Sequence, residues 1–174
     1  LKRIKISKKW LLHKFPCSVD YIKNVCHGRC CQGTGRILVS LLPEEQEYHR
    51  KMGKKVEKGL LQANIRCVCP YKRVDGLCDI HYINKPFGCV VSPFKINSNN
   101  TLIMRHRYTK LKCHGTGEPA YKKFRNSLDL LFDESEGKSI CDRIEENCTN
   151  IHAYIDDEVY NELKYLEGVK HGIY

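Results

Sequence analysis

No apolar run in this chain approaches the roughly 20 residues that a membrane-spanning helix needs. The longest aliphatic stretch is Ile37-Leu38-Val39, followed after Ser40 by Leu41-Leu42, so no membrane span is expected. The first fifteen residues carry six Lys or Arg and no uninterrupted apolar core of the kind a secretory leader uses. Familiar catalytic signatures are missing too. There is no Gly-rich phosphate loop, no nucleophile elbow and no His-Glu-x-x-His helix. Cys26-x3-Cys30-Cys31 lacks the final x2 spacing of a radical S-adenosylmethionine triplet. Helix-turn-helix, RNA-recognition and zinc-finger spacings are absent as well, as are internal repeats and low-complexity segments.

What the chain has in quantity is cysteine, eleven in 174 residues. Eight form an ordered set: Cys17, Cys26, the adjacent pair Cys30 and Cys31, Cys69, Cys78, Cys89 and Cys113. An odd total cannot be used up by disulfides within one chain, and disulfide-stapled domains are usually smaller and exported. The set therefore predicts metal ligation in a reducing, intracellular (cytoplasmic) setting, ahead of disulfides or ordinary buried thiols. Thiolates are soft ligands that suit iron–sulfur clusters and zinc, and either centre can substitute for the core a loop-rich segment lacks.

Neighbouring side chains diverge, so Cys30 and Cys31 are expected to serve different metal atoms. The eight then divide into two four-cysteine sites, or one cluster plus an additional site. Gly33-Thr34-Gly35 and Gly115-Thr116-Gly117 read as ordinary turns. Beside thiolates they also allow close approach of a bulky cluster, which favours iron–sulfur over zinc. His27, His81 and His114 are expected to be supporting or exposed histidines, since eight thiolates suffice. Cys67 is a reserve ligand by its spacing from Cys69. Cys141 and Cys148, seven residues apart, read as small buried hydrophobes of a helix.

Charge is unevenly spread. Residues 1–126 hold 26 Lys and Arg against 8 Asp and Glu, a balance of +18, while residues 127–174 hold 4 against 12, a balance of −8. This predicts a basic cysteine-rich body over 1–126 and an acidic helical tail over 127–174 packed on it. Within the body, 36–42 and 77–82 read as short strands, and Pro43-Glu44-Glu45 opens a helix that fails near Gly53. Segments 90–97 and 101–108 read as a hairpin around Asn97-Ser98-Asn99-Asn100. Tyr121, Phe124, Leu128, Leu131 and Phe132, then Val159, Leu163 and Leu166, recur at helical spacing and are expected to face the core.

The order of motifs resembles a family. Cys17, Cys26-x3-Cys30-Cys31, Cys69-Pro70-Tyr71, Gly76-Leu77-Cys78-Asp79-Ile80-His81, Lys85-Pro86-x2-Cys89, Ser92-Pro93-Phe94 and Cys113-x-Gly115-x-Gly117 are similar to the zinc- or iron-chelating YkgJ-like proteins, over residues 17–117. The Cys17 to Cys26 gap is longer than usual there, Lys85 stands where arginine is common, and Val90 where a basic residue often follows the cysteine. The resemblance implies metal binding and little about reaction. Flagellin lysine methylases contain a similar cluster, which keeps an enzymatic reading open.

The basic body also suggests a partner. Lys2, Arg3, Lys5, Lys8, Lys9 and Lys14 form a predicted arm with Trp10 and Phe15 interleaved. Arg105, Arg107, Lys110 and Lys112 form a second concentration, continued by Lys122, Lys123 and Arg125, and strand alternation would put Arg105 and Arg107 on one face. Cations so placed neutralise phosphates and aromatics stack on bases; a solvated basic surface is the plainer alternative. The sequence thus predicts a small α+β domain, cysteine-rich and metal-organised, with a short antiparallel hairpin and a helical C-terminal tail. Its expected role is binding nucleic acid or a nucleoprotein assembly. The alternatives are an iron–sulfur-dependent enzyme acting on a macromolecule, and a module for an acidic protein partner.

Overall fold

The computed structural model describes residues 1–32, 39–113 and 115–173. The chain is α+β. It forms two compact units, neither continuous in sequence: Leu1–Cys17 with Val91–Leu163, and Ser18–Val90 with Lys164–Tyr174. The strands are β1 (Lys2–Ile6), β2 (Lys14–Phe15), β3 (Val39–Ser40), β4 (Val56–Glu57), β5 (Leu60–Leu61), β6 (Phe94–Ile96), β7 (Thr101–Met104), β8 (Glu118–Pro119) and β9 (Ile151–Ile155). Among the described residues no helix is long and apolar enough to cross a membrane.

The first unit is built on a four-stranded sheet of order β6-β7-β1-β9. Its inner strand β1 is the expected basic arm. Lys2-Arg3-Ile4-Lys5-Ile6 alternates, so Ile4 and Ile6 face the core while Arg3 and Lys5 face out. β1 runs parallel to β7 and antiparallel to β9, with Ile4 opposite Ala153 and Ile6 opposite Ile151. The division at residue 126 therefore fails: Ile151–Ile155, inside the acidic segment, is a strand of the first unit's core rather than part of an appended helical tail. Apolar alternation in both strands outweighs their difference in charge.

The hairpin is present as β6 and β7, with Phe94 opposite Met104 and Ile96 opposite Leu102. Asn97 Oδ1 shapes its turn by accepting from the N–H groups of Asn99 and Thr101, at 2.9 and 3.0 Å. The strands are shorter than expected. Val90 ends the helical turn Phe87–Val90, and Tyr108 N–H bonds back to Arg105 O at 3.0 Å, closing the helical turn His106–Thr109. Arg105 and Arg107 thus do not share a strand face.

The helical stripe from residue 120 becomes Ala120–Lys123 and Arg125–Glu145, which bury Tyr121, Leu128, Leu131, Phe132, Ile140 and Ile144. Asp133, at φ 64°, breaks the longer helix, and its Oδ1 accepts from Glu136 N at 2.9 Å to start the second half. That half packs along β9. There Glu136 Oε1 accepts from Tyr154 N at 3.1 Å, and Arg143 Nη1 donates to His152 O at 2.6 Å. The two side chains also pair at 3.5 Å. They fill hydrogen-bonding positions on the β9 backbone that an edge strand would otherwise expose.

The second unit holds the small sheet β3-β5-β4 and the helix Pro43–Lys51. Pro43 occupies the first turn and Glu45 reaches back to Leu42 N at 2.8 Å, as the carboxylates there suggest. Segment 77–82 is not a strand. Arg73 N bonds Leu77 O at 2.8 Å and Asp79 N bonds Tyr71 O at 2.8 Å, so the chain closes on itself in turns. Part of the expected strand 36–42, the turn Gly33-Thr34-Gly35 and His114 lie outside the described residues. The helix Asp157–Lys170 begins in the first unit and ends in the second.

Apolar burial differs sharply between the units. Among the described residues 27 hydrophobic side chains are buried: 21 belong to the first unit and six, Leu41, Leu42, Leu61, Tyr71, Leu166 and Val169, to the second. A unit with few core residues gains from another source of stability.

Candidate metal centre

The second unit places its cysteines in turns. Ile22–Cys26 is a wide π-type turn ended by two left-handed residues, His27 at φ 51° and Gly28 at φ 64°, after which Arg29–Cys31 forms a tight 3-10 turn. In the 3-10 turn the side chains of Cys30 and Cys31 lie near enough that Cys30 is the largest influence on the Cys31 thiol.

Two glycines bring this turn to the next cysteines. A Cβ on Gly28 would stand 2.2 Å from Gly76 O, and one on Gly76 2.5 Å from the His27 carbonyl carbon. The two backbones touch, and only glycine fits at both points. Gly76 lies in the turn Arg73 to Leu77, where Asp75 Oδ1 accepts from Leu77 N at 3.2 Å, and this turn delivers Cys78. Cys69 N then donates to Cys31 O at 3.2 Å, and Gln32 bridges Val68.

Five thiols come within electrostatic reach of one another. Cys31 senses Cys30, Cys69 and Cys89; Cys69 senses Cys78; Cys89 senses Cys69 and Cys78. Cys30, burial and the other neighbouring sulfurs push the Cys31 thiol well above its ordinary range. Burial pushes Cys89 up to about 12, with Lys85 acting the other way. Burial also raises Cys69, with the backbone at Tyr71 and Lys72 and the charge of Lys54 acting the other way. Lys54 adds positive charge near Cys69 and rests 4.9 Å from the Tyr71 ring centre. Part-buried thiols that would repel as anions suit a thiolate-bound cation. As they stand, no three His, Cys, Asp or Glu among the described residues form an arrangement that holds an ion.

The other cysteines fall elsewhere. Cys26 lies in the same unit, directly before the His27-Gly28 turn. Cys17 and Cys113 belong to the first unit, where Gly115 N bonds Lys14 O at 2.7 Å and a Cβ on Gly117 would meet Phe15 O at 2.4 Å. Residues 115–117 thus lie along 14–16. Cys67, at φ 57°, sits in a turn organised by Asn64. Cys141 is buried and its thiol donates to Tyr121 O at 3.8 Å. Cys148 lies beyond the helix end, so it shares no helical face with Cys141. Cys26, Cys31, Cys67, Cys69, Cys78, Cys89, Cys141 and Cys148 are thiols rather than disulfides.

No protein-family model, curated protein or solved structure matches the chain. The YkgJ-like resemblance therefore rests on the order of motifs in the sequence.

Sequence reasoning missed His49. It is fully buried on the helix Pro43–Lys51, its Nδ1 lies 2.6 Å from Tyr71 Oη, and its Nε2 has no hydrogen-bond partner. Burial lowers its pKa and keeps it neutral. One turn earlier on that helix, Glu45 Oε1 accepts from Phe87 N at 2.6 Å and contributes negative charge near Cys89. The signal in sequence was weak: a histidine on a helix whose apolar face is short. His27 and His81 are exposed, and His81 Nδ1 lies 3.3 Å from Lys85 Nζ.

The expected nucleic-acid residues all fall in the first unit. Lys2, Arg3 and Lys5 are on β1. Lys8 and Lys9 are in the helical turn Lys8–Leu11, where Lys8 Nζ donates to Asn147 Oδ1 and Lys9 lies 5.3 Å from the Trp10 ring centre. Arg107 stacks toward Tyr108, and Lys110 and Lys112 are exposed in the following turns.

Proposed function

We propose that the second unit is a metal-stabilised module, held by an iron–sulfur cluster in preference to zinc, within a protein that binds nucleic acid or a nucleoprotein assembly. The observation that carries it is the group Cys30, Cys31, Cys69, Cys78 and Cys89, gathered in a unit with few core residues among those described. Cys26 is the sixth donor available in that unit, so the reading does not depend on Cys17 or Cys113. Positive charge at a bound metal turns the mutual repulsion of the thiolates into attraction. When bound, the metal supplies cross-linking of turns that have little apolar burial to hold them. The basic residues of the first unit supply the phosphate contacts.

The test is purification without oxygen, followed by metal and acid-labile sulfide analysis. Iron with sulfide, or zinc, at stoichiometric level is expected, brown colour marking the cluster. A folded, metal-free protein with its cysteines paired as disulfides would overturn the proposal.

A further inference from the structure

We infer that the outward face of the β6-β7-β1-β9 sheet is a binding platform for single-stranded nucleic acid. The inference deepens the nucleic-acid part of the proposed function and rests on it. Strand register fixes which side chains share this face. Lys5 stands beside Thr101 on β7, Ile103 opposite Lys95, Arg3 opposite Tyr154 and Lys5 opposite His152. Their neighbours in sequence, including Ile4, Ile6, Leu102 and Ala153, face the core.

The face therefore carries Arg3, Lys5 and Lys95 around Ile103, His152 and Tyr154, with no carboxylate at any of these register positions. Arg3 and Lys5 are exposed, none of the three cations has an ion-pair partner among the described residues, and the Tyr154 side is 53% exposed. The Glu136 and Arg143 contacts hold the β9 backbone at Tyr154 and His152 and so fix the base of the tyrosine.

Two physical points select the occupant. Strands about 4.8 Å apart make a four-strand face about 14 Å across. The major groove of duplex DNA admits a helix or a two-stranded ribbon, not a flat four-stranded face. Unpaired bases, in contrast, lie flat on such sheets, stacking on aromatic side chains while cations take the phosphates. Tyr154 and His152 on β9 offer rings directly beside Arg3 and Lys5 on β1, an arrangement that a purely acidic peptide would leave unused. Nothing in the basic composition pointed to Tyr154, His152 or Lys95, because two of them sit in the acidic C-terminal segment.

The experiment is fluorescence anisotropy with labelled ten-nucleotide uridine and thymidine single strands, a duplex of equal length and a polyglutamate peptide, on the intact protein at several salt concentrations. Single strands should bind best. Tyr154→Thr should weaken them at least about fivefold, the low end of one lost base–aromatic stack, whereas Tyr154→Phe should bind like the parent. Arg3→Ala with Lys5→Ala should reduce the slope of log affinity against log salt by about 1.4, near 0.7 for each phosphate contact. Thermal melts and metal content verify that each variant is folded.

Single-strand binding that is unchanged by these variants but lost in Lys110→Ala with Lys112→Ala would overturn the platform and leave the nucleic-acid reading standing. Failure of every nucleic acid to bind at low salt would sink both. Polyglutamate binding equal to that of the single strands, and equally insensitive to Tyr154→Thr, would assign the face to an acidic protein instead.

Discussion

Cys69 shows why a single thiol can decide the state of the second unit. Structural metal binding is worth on the order of 10–16 kcal/mol in small zinc modules, against about 5–15 kcal/mol for the stability of a whole domain. Cys31→Ser, Cys69→Ser and Cys89→Ser should therefore give metal-poor or insoluble protein. Cys141→Ser, which alters only a thiol bonded to Tyr121 O, should keep full metal content and cost about 1 kcal/mol in melts. Equal metal content across the four variants would contradict the assignment. Burial lowers the His49 pKa, so the folded protein holds fewer protons there than the unfolded chain. Its contribution is present above the unfolded value near 6.5 and is lost as pH falls from there toward the lowered folded value. Denaturant titrations of the metal-loaded protein should show this acid limb, reduced in His49→Phe.

Among elements, the crossing of the turns at Gly28 and Gly76 is the most exacting. Gly28→Ala or Gly76→Ala forces a Cβ to 2.2 or 2.5 Å from backbone atoms, which neither side can yield by rotating. Each should abolish metal retention. Gly53→Ala is the control: φ is 74° but no atom lies within 4 Å, so it should cost only the roughly 1–2 kcal/mol of left-handed strain. If all three behave alike, the crossing is not what orders the thiols. Local elements were legible where the signal was local. Pro43 with Glu44 and Glu45, the asparagine-rich turn at 97–100 and the stripe from Tyr121 to Phe132 each specify a structure within a few residues. β1 and β9 were not, although both alternate, because each pairs with a segment distant in sequence. The cysteine set was legible as a group. Its split between two units, the nearness of the Cys30 and Cys31 side chains, and His49 depend on backbone turns that spacing does not reveal.

For the molecule as a whole, the unequal apolar burial predicts unequal response to metal removal. Chelation under reducing conditions should strip hydrogen-exchange protection from residues 20–32 and 66–90, while peptides covering β1, β7 and β9 keep theirs, since their unit holds 21 of the buried hydrophobic residues among those described. Uniform loss would mean that the first unit has no independent stability. With selective loss, the chelated protein is a mixture of ordered sheet and exposed thiol-rich chain, a state in which many proteins clump. Here Glu136 and Arg143 acquire a second meaning. By occupying backbone positions on β9 they stop another chain from adding a strand there, and the opposite rim, β6, is only three residues long. Polymerisation by sheet growth is closed at one side and starved at the other. Loss of metal should accordingly give soluble, protease-sensitive monomers before fibres, and Glu136→Ala with Arg143→Ala should reverse that order.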